Sequence, residues 1–506
     1  LSLRAVAQIP WETQALARRL YLHLVLTVSA AVSVFGFVGL FRWWLGVEEF
    51  DGRHIAMPVV WGLVWAFHWR QVDLEKQDYS VDDGVRQLYV YAASLVGLVM
   101  LVVGLGSILQ HLFSFAYGAI SSTELMTLTG PGVWNNTMGT ALALAVTGGV
   151  VWSWHWHWGA NTTGIRAAGT GAGVRQVYLY TFTIFPGSTT VVVSLSIVLF
   201  RLISWWLGPA DFLGPGDYFR ALPNAIAVLV AGGAVWGYHW AVAKQESAAV
   251  GSLPEARRAY RYLVSGVALG AIGVGLVALL GVGAGTVFPL GGEELASTGW
   301  WHGQFALAMT LLALGVPLWG FHWLSAQRQV ISAGAVELVA LPRRVFVYSV
   351  FGVAVLIGLI SLSWVLFLVF KDVLEANISI GVIQQAKLPL GMALVAGSIG
   401  FYHWLVLQED RRALAETPLE VCEETRVLKN ITALVPDSAQ PAIRRLEEGL
   451  GYAIRTWKRL DGAETIGGLT EEELDNARRR IADAPGDQIL VSIDASGITV
   501  VPYRDS

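Results

Sequence analysis

Apolar residues gather along this chain into ten long runs, separated by short polar stretches. A lipid core requires about 20 apolar residues per helix. On that measure the runs span residues 20–46, 55–69, 88–113, 138–158, 177–207, 221–243, 260–290, 301–324, 345–370 and 388–407. They fall into five pairs, and each pair has the same punctuation. A pair opens on one or two cations and an aromatic: Arg18-Arg19-Leu20-Tyr21, Arg86-Gln87-Leu88-Tyr89, Arg175-Gln176-Val177-Tyr178, Arg257-Arg258-Ala259-Tyr260 and Arg343-Arg344-Val345-Phe346. It closes on Trp65-Ala66-Phe67-His68-Trp69, Trp152-Ser153-Trp154-His155-Trp156, Trp236-Gly237-Tyr238-His239-Trp240, Trp319-Gly320-Phe321-His322-Trp323 and Gly400-Phe401-Tyr402-His403-Trp404. Successive histidines lie 87, 84, 83 and 81 residues apart. This is an internal repeat of two helices, present five times.

The pattern changes after Leu407. Residues 409–506 hold 13 Lys and Arg against 19 Asp and Glu. The spacing predicts helices over 439–450, capped by Gly451, and from the capping box at Thr470 to about Asp483. Strands are expected over 427–435 and 452–458. A hairpin is expected from 489–493 and 498–501 around Asp494–Gly497. The fold class is therefore an all-α polytopic membrane protein with ten transmembrane helices and a small C-terminal α/β domain. The units are an N-terminal segment 1–16, repeats 17–84, 85–173, 174–256, 257–342 and 343–408, and the tail 409–506.

Two helices per unit return the chain to one face, so every basic start and every His-Trp end shares that face. The far side carries Arg42, Arg53, Arg201, Arg220, Lys371 and Lys387; the near side carries more than twice as many cations, from Arg4 to Arg344. The positive-inside rule then places the near side, with both termini, in the cytoplasm of a bacterial inner membrane. Leu1 is not a methionine, and residues 1–14 lack the regions of a signal peptide. The chain is read as processed or as preceded by further sequence.

Composition agrees with the pattern. The chain is 54% hydrophobic and 14% charged, with 22 Trp and 55 Gly. A soluble domain carries about a quarter charged residues. A lone Cys422 excludes an internal disulfide, and the net charge of −4 gives no signal for nucleic acid. Pro186-Gly187 is expected to kink its helix, and Gly266 and Gly270 match small-xxx-small packing.

The histidines are the first candidates for chemistry. Imidazole is a common metal and haem ligand, so His68, His155, His239, His322 and His403 are candidate cofactor ligands. They sit at one depth on five different helices, without the facing pairs that haem ligation uses and without Cys, Asp or Glu beside them. The structural reading is preferred: Trp69, Trp156, Trp240, Trp323, Trp404, Tyr21, Tyr89, Tyr178 and Tyr260 are interface anchors, and the next repeat's arginine stacks on the tryptophan before it. His157 diverges from His155 on a helix and makes no chelating pair. The ten apolar cores between the anchors are read as free of Asp, Glu, Lys and Arg, which argues against ion-coupled transport; His23 and His111 are titratable near segment ends. Asn224, Gln304, Thr181, Thr183, Ser194 and Ser363 are polar enough to line a neutral pathway or to bond helix to helix. No nucleotide-binding, metalloprotease or hydrolase motif is present, so no catalytic and no metal residues are assigned.

The repeated Arg-x-Leu-Tyr start, paired helices and His-Trp end resemble a domain of unknown function that occurs as tandem copies in bacterial multi-pass membrane proteins, Chloroflexota-like in source. The resemblance covers about residues 17–407 and implies no activity. Copy five departs from it, with Phe346 in place of Tyr and Gly400 in place of Trp. The expectation is a non-enzymatic membrane scaffold or complex subunit, in contact with membrane lipids, whose tail 409–506 docks a cytosolic or membrane protein. The alternatives are a transporter or channel for a neutral or lipidic solute, and a haem- or quinone-associated redox subunit. No cofactor is predicted.

Overall fold

A computed structural model describes residues 16–75, 84–121, 134–159, 171–208, 214–250, 255–287, 299–375, 380–416, 430–436, 440–450, 454–458, 471–484, 488–494 and 497–503. The predicted turn residues Ala495 and Ser496, the cap Gly451 and the capping-box Thr470 lie outside them. Every predicted apolar run is helical over its described residues, apart from Leu45 and Gly46, which form a turn; residues 288–290 lie outside the described residues. Repeat 1 is α1 (Leu16–Trp44) and α2 (Arg53–Glu75). Repeat 2 is α3 (Gly84–Ser121) and α4 (Asn136–Ser153), which continues as a π turn over Trp154–Gly159. Repeat 3 is α5 (Gly171–Val177), a π segment Tyr178–Ile184 and α6 (Phe185–Leu207), then α7 (Pro215–Tyr218) leading into α8 (Leu222–Val250). Repeat 4 is α9 (Glu255–Val287) and α10 (Trp300–Ala333), followed by the short α11 (Ala335–Val339); repeat 5 is α12 (Leu341–Leu374) and α13 (Ile380–Glu416).

Among the described residues, nine helices are long and apolar enough to cross a membrane. The expected ten therefore become nine by this measure. The exception is α2, where Arg53, His54, His68, Arg70, Gln71, Asp73 and Glu75 dilute the apolar stretch. The helices also outrun the apolar windows. The 38 residues of α3 are about 57 Å long, which carries helix to Ser121, past the predicted end of the run at residue 113. Likewise α13 continues past Leu407 through Glu409, Asp410, Arg411 and Arg412, because charged residues are good helix formers once outside lipid. Large exposed side chains such as Leu356, Ile360, Leu366 and Phe370 line α12, as expected of a surface that meets lipid rather than water.

Small residues set the closest contacts. A Cβ on Gly97 would come within 2.5 Å of the Trp152 nitrogen, on Gly104 within 2.5 Å of the Ala145 nitrogen, and on Gly148 within 2.5 Å of the Leu101 nitrogen. Those three glycines let the backbones of α3 and α4 touch. The Gly266–Gly270 motif does not do this: Gly270 faces open space. Pro186 lies inside a helix that runs without a break from Gly173 to Leu207, just after the π segment that ends at Ile184, so the change of helix type falls beside the proline.

Between repeats one arrangement recurs. The first helix of each repeat packs on the second helix of the next: α1 on α4, α3 on α8 and α6 on α10. Gly391 of α13 lies against Val277 and Leu280 of α9 in the same sense.

The second unit spans Ala415–Ser506 with a short stretch from earlier in the chain. It holds β1 (Asn430–Val435), α14 (Gln440–Leu450), β2 (Arg455–Lys458), α15 (Glu471–Asp483), β3 (Gln488–Asp494) and β4 (Gly497–Pro502). The sheet order is β2-β1-β3-β4; β1 runs parallel to β2 and β3, and β4 is antiparallel to β3. Alternation puts Ile431, Ala433 and Val435 of β1 and Ile489, Val491 and Ile493 of β3 on one face. There they share a core with Ile443 and Leu446 of α14 and Leu474, Ala477 and Ile481 of α15.

Candidate functional site

The repeated residues meet at the seams between repeats. Each His-Trp end faces the aromatic start and the histidine of the following repeat. In seam 1/2, Trp65 Nε1 donates to Tyr89 Oη at 2.7 Å, and Tyr89 Oη lies 3.3 Å from His155 Nε2. His155 Nδ1 is 2.8 Å from the Val151 carbonyl. A carbonyl only accepts, so Nδ1 carries the hydrogen and Nε2 is the acceptor. Tyr89 thus accepts from Trp65 and donates to His155. Trp65 and Trp69 stack on each other at 5.4 Å, and the imidazole sits 6.2 Å from each ring.

The later seams are variants of the same cluster. In seam 2/3, Trp156 stacks on Tyr178 at 5.2 Å and lies 5.7 Å from His239, while its Nε1 donates to Tyr238 Oη at 2.8 Å. In seam 3/4, Tyr260 lies 5.9 Å from Trp240 and 5.7 Å from His322. In seam 4/5, Trp323 lies 5.5 Å from Phe346 and 5.7 Å from His403, and its Nε1 donates to Tyr402 Oη at 2.7 Å. In repeat 1, Tyr21 meets His68 at 6.4 Å. A second aromatic two residues on extends the chain of rings: Tyr91 reaches Tyr178 at 5.2 Å, Tyr180 reaches Tyr260 at 6.2 Å and Tyr262 reaches Phe346 at 5.3 Å. In repeat 1 that position is His23, 5.9 Å from Tyr89.

The arginines brace the seams. Arg175, Arg257 and Arg343 lie over Trp156, Trp240 and Trp323 at 4.4, 6.0 and 5.9 Å, the stacking expected of a basic start beside the preceding repeat's end. Arg18, Arg175 and Arg343 also pair with Glu75, Glu246 and Asp410 at 2.6, 2.5 and 2.8 Å, and Arg261 bonds Gln329. These partners were missed in the sequence, although the signal is plain in retrospect. Glu75, Glu246, Gln329 and Asp410 each stand seven residues after the repeat histidine, two turns on and on the same helix face.

The five histidines do not converge. His155, His239, His322 and His403 belong to four different seams, while His68 meets Tyr21 within repeat 1; His155, His239 and His403 are only 4%, 1% and 0% exposed. An axial haem ligand needs an open Nε2, whereas these rings are enclosed by indoles and phenols of the same chain. Among the described residues no three His, Cys, Asp or Glu side chains are grouped to hold a metal ion. His157 packs edge-on against Trp152 at 5.6 Å, apart from the seam ring of His155. Of the proposed anchors, Trp156, Trp323, Tyr89, Tyr178 and Tyr260 are buried in seams, Trp69 and Trp240 are half-buried, and Tyr21 and Trp404, at the two ends of the array, are exposed.

Seam 1/2 also holds a cavity of about 730 Å³. Its walls come from α1, α2, α3 and α4. None of Asn224, Gln304, Thr181, Thr183, Ser194 and Ser363 lines it; its polar lining is His23, Thr27, Ser33, Trp65, Tyr89, Thr147, Trp154 and His155.

A family model described as Domain of unknown function (DUF5671) matches residues 19–130, 87–217 and 258–398. The chain belongs to this family. The matches begin at Arg19, Gln87 and Arg258, inside the basic starts of repeats 1, 2 and 4, and each runs beyond a single two-helix repeat. Each match takes in one repeat and the start of the next, and stops before that next repeat's histidine. No curated protein and no solved structure matches the chain.

Proposed function

We propose that this protein is a non-enzymatic membrane scaffold: a rigid helical array in a bacterial inner membrane, whose C-terminal α/β unit docks a cytosolic or membrane protein. The observation that carries this reading is the seam. Its indole, phenol, imidazole and guanidinium groups are directed at one another across every junction, which is the chemistry of assembly. A site built for turnover would present open, convergent groups. The second reading, passage of a neutral or lipidic solute, has the seam 1/2 cavity in its favour.

Native purification tests the scaffold. A protein partner that co-purifies with the full chain and is lost on deleting residues 415–506 supports it; monomer alone, with nothing bound, overturns it. The orientation has its own test in the single Cys422. With both termini cytoplasmic, a membrane-impermeant maleimide labels Cys422 only after the cells are permeabilised; labelling of intact spheroplasts reverses the topology.

A further inference from the structure

The cavity in seam 1/2 runs along α1, from Leu20 near its start to Phe41 near its end. That is 21 residues, or about 32 Å of helix, close to the thickness of a hydrocarbon core. Leu24, Leu88, Val96 and Val150 on its rim are exposed, so the groove opens sideways to lipid. Its volume lies within the range of small-molecule pockets, about 300–1,000 Å³.

The groove traces to one residue type. Where repeats 2, 3 and 4 place Tyr91, Tyr180 and Tyr262 against the next repeat's aromatic start, repeat 1 places His23. An imidazole is smaller than a phenol, and the facing wall carries Ala92 and Ala93. Space that tyrosine occupies in the sister seams is left free in this one.

The lining also specifies the guest. Among the described residues it contains no Asp, Glu, Lys or Arg to balance a charge. A charged group buried there would be uncompensated. Hydroxyls on membrane helices ordinarily bond the carbonyl one turn back. Thr27, on the same groove, does so to His23 at 2.8 Å, as does Thr183 to Leu179 at 2.7 Å. Thr147 does not. It is 4% exposed, it lines the groove, and its Oγ1 has no hydrogen-bond partner among the described residues. Ser204, Thr310 and Ser361 are likewise unpartnered, but none of them lines this groove.

We propose that this groove binds one uncharged amphiphile, an acyl or isoprenoid chain lying along α1 with a carbonyl oxygen that accepts from Thr147 Oγ1. A neutral glyceride and an alkyl quinone share that chemistry. The inference stands apart from the scaffold reading, since a scaffold with or without a protein partner can hold such a guest.

The test uses the full chain in detergent, titrated with monooleoylglycerol, decyl-benzoquinone and phosphatidylglycerol under native mass spectrometry. The expected result is saturable one-to-one binding of one of the two neutral probes, and which of them binds identifies the source. His23→Tyr, which installs the residue the sister seams tolerate, should weaken that binding at least tenfold. Thr147→Val keeps the shape, removes the hydroxyl and should weaken it roughly three- to tenfold. Should His23→Tyr fail to fold, Ala92→Phe fills the groove from its exposed rim. No saturable binding of either neutral probe overturns the proposal. So does binding unaffected by both groove-filling variants, or phosphatidylglycerol binding as tightly as the neutral probes.

Discussion

Phe346→Tyr should stabilise the protein, although it places a polar group in a buried seam. In seam 1/2 the Tyr89 hydroxyl joins Trp65 Nε1, at 2.7 Å, to His155 Nε2, at 3.3 Å. In seam 4/5 the same position holds Phe346, 8% exposed and 6.1 Å from His403. The groups that a hydroxyl would join are still there: Trp319 Nε1 and His403 Nε2 are both buried without a hydrogen-bond partner among the described residues. His403 Nδ1 bonds the Ile399 carbonyl at 2.8 Å, so Nε2 is an acceptor as in His155. One added oxygen thus makes two bonds. Intramolecular hydrogen bonds contribute about 0.5–1.5 kcal/mol each in water-soluble proteins and about 0.6 kcal/mol on average between membrane helices. The gain expected for Phe346→Tyr is therefore about 1–2 kcal/mol. Tyr89→Phe is the mirror experiment: it strands Trp65 Nε1 and His155 Nε2 and should cost about 1–3 kcal/mol. Reversible unfolding in mixed micelles, followed by tryptophan fluorescence, measures both. If Phe346→Tyr is neutral or destabilising and Tyr89→Phe costs nothing, the phenol is a packing group and the bridging argument fails.

Further predictions concern the braces and the helix contacts. Asp410→Asn removes the charge that holds Arg343, which is 1% exposed, and should cost about 3 kcal/mol; the joint Arg343→Met, Asp410→Leu change should recover most of that loss in the same unfolding assay. A cost under about 1 kcal/mol for Asp410→Asn would remove the brace from the account. Gly148→Leu drives a side chain into the α3 backbone and should abolish folded protein on size exclusion. Gly270→Ala meets open space and should gain up to about 1 kcal/mol from helix propensity.

The helices and the repeat were legible in the sequence because both rest on local signals: apolar runs of spanning length, and a phrase recurring at near-constant spacing. The predicted end at Leu407 is where the apolar run stops; the helix itself continues to Glu416. The seams were only half legible. The nearness of each His-Trp end to the next basic start along the chain pointed to Arg on Trp, but not to which ring faces which hydroxyl. That depends on the offset placing α1 on α4 and α3 on α8, which no local pattern encodes. Glu75, Glu246 and Asp410 lie beyond the apolar windows, where no spanning run singles them out. Counting seven residues on from each histidine would have found them. The cavity was illegible for a different reason. It depends on one ring being smaller than its counterparts, and it becomes visible only when His23 is aligned with Tyr91, Tyr180 and Tyr262.

The same comparison says what closes the array after repeat 5. A seam needs two groups from the earlier repeat, a stacked tryptophan pair such as Trp65/Trp69 at 5.4 Å or Trp319/Trp323 at 6.2 Å. In seams 2/3 and 4/5 it also takes a hydroxyl from the later repeat, where Tyr238 and Tyr402 accept from Trp156 and Trp323. At the free end of repeat 5, Gly400 has removed the first tryptophan. Phe67 and Phe321 both stand where Tyr238 and Tyr402 stand; seam 3/4 forms on Phe321, so that hydroxyl is dispensable and the first tryptophan is the group that repeat 5 lacks. Joining another copy to this face would leave Trp404 as the only indole to stack. The outer face of repeat 5 is therefore capped, as terminal repeats in tandem arrays must be. Restoring the indole should remove the cap. A Gly400→Trp variant is expected to form oligomers whose size grows with protein concentration on native mass spectrometry, while Phe67→Tyr leaves the oligomeric state as it was. A Gly400→Trp variant no more associated than the parent would mean that the seam chemistry does not itself hold repeats together.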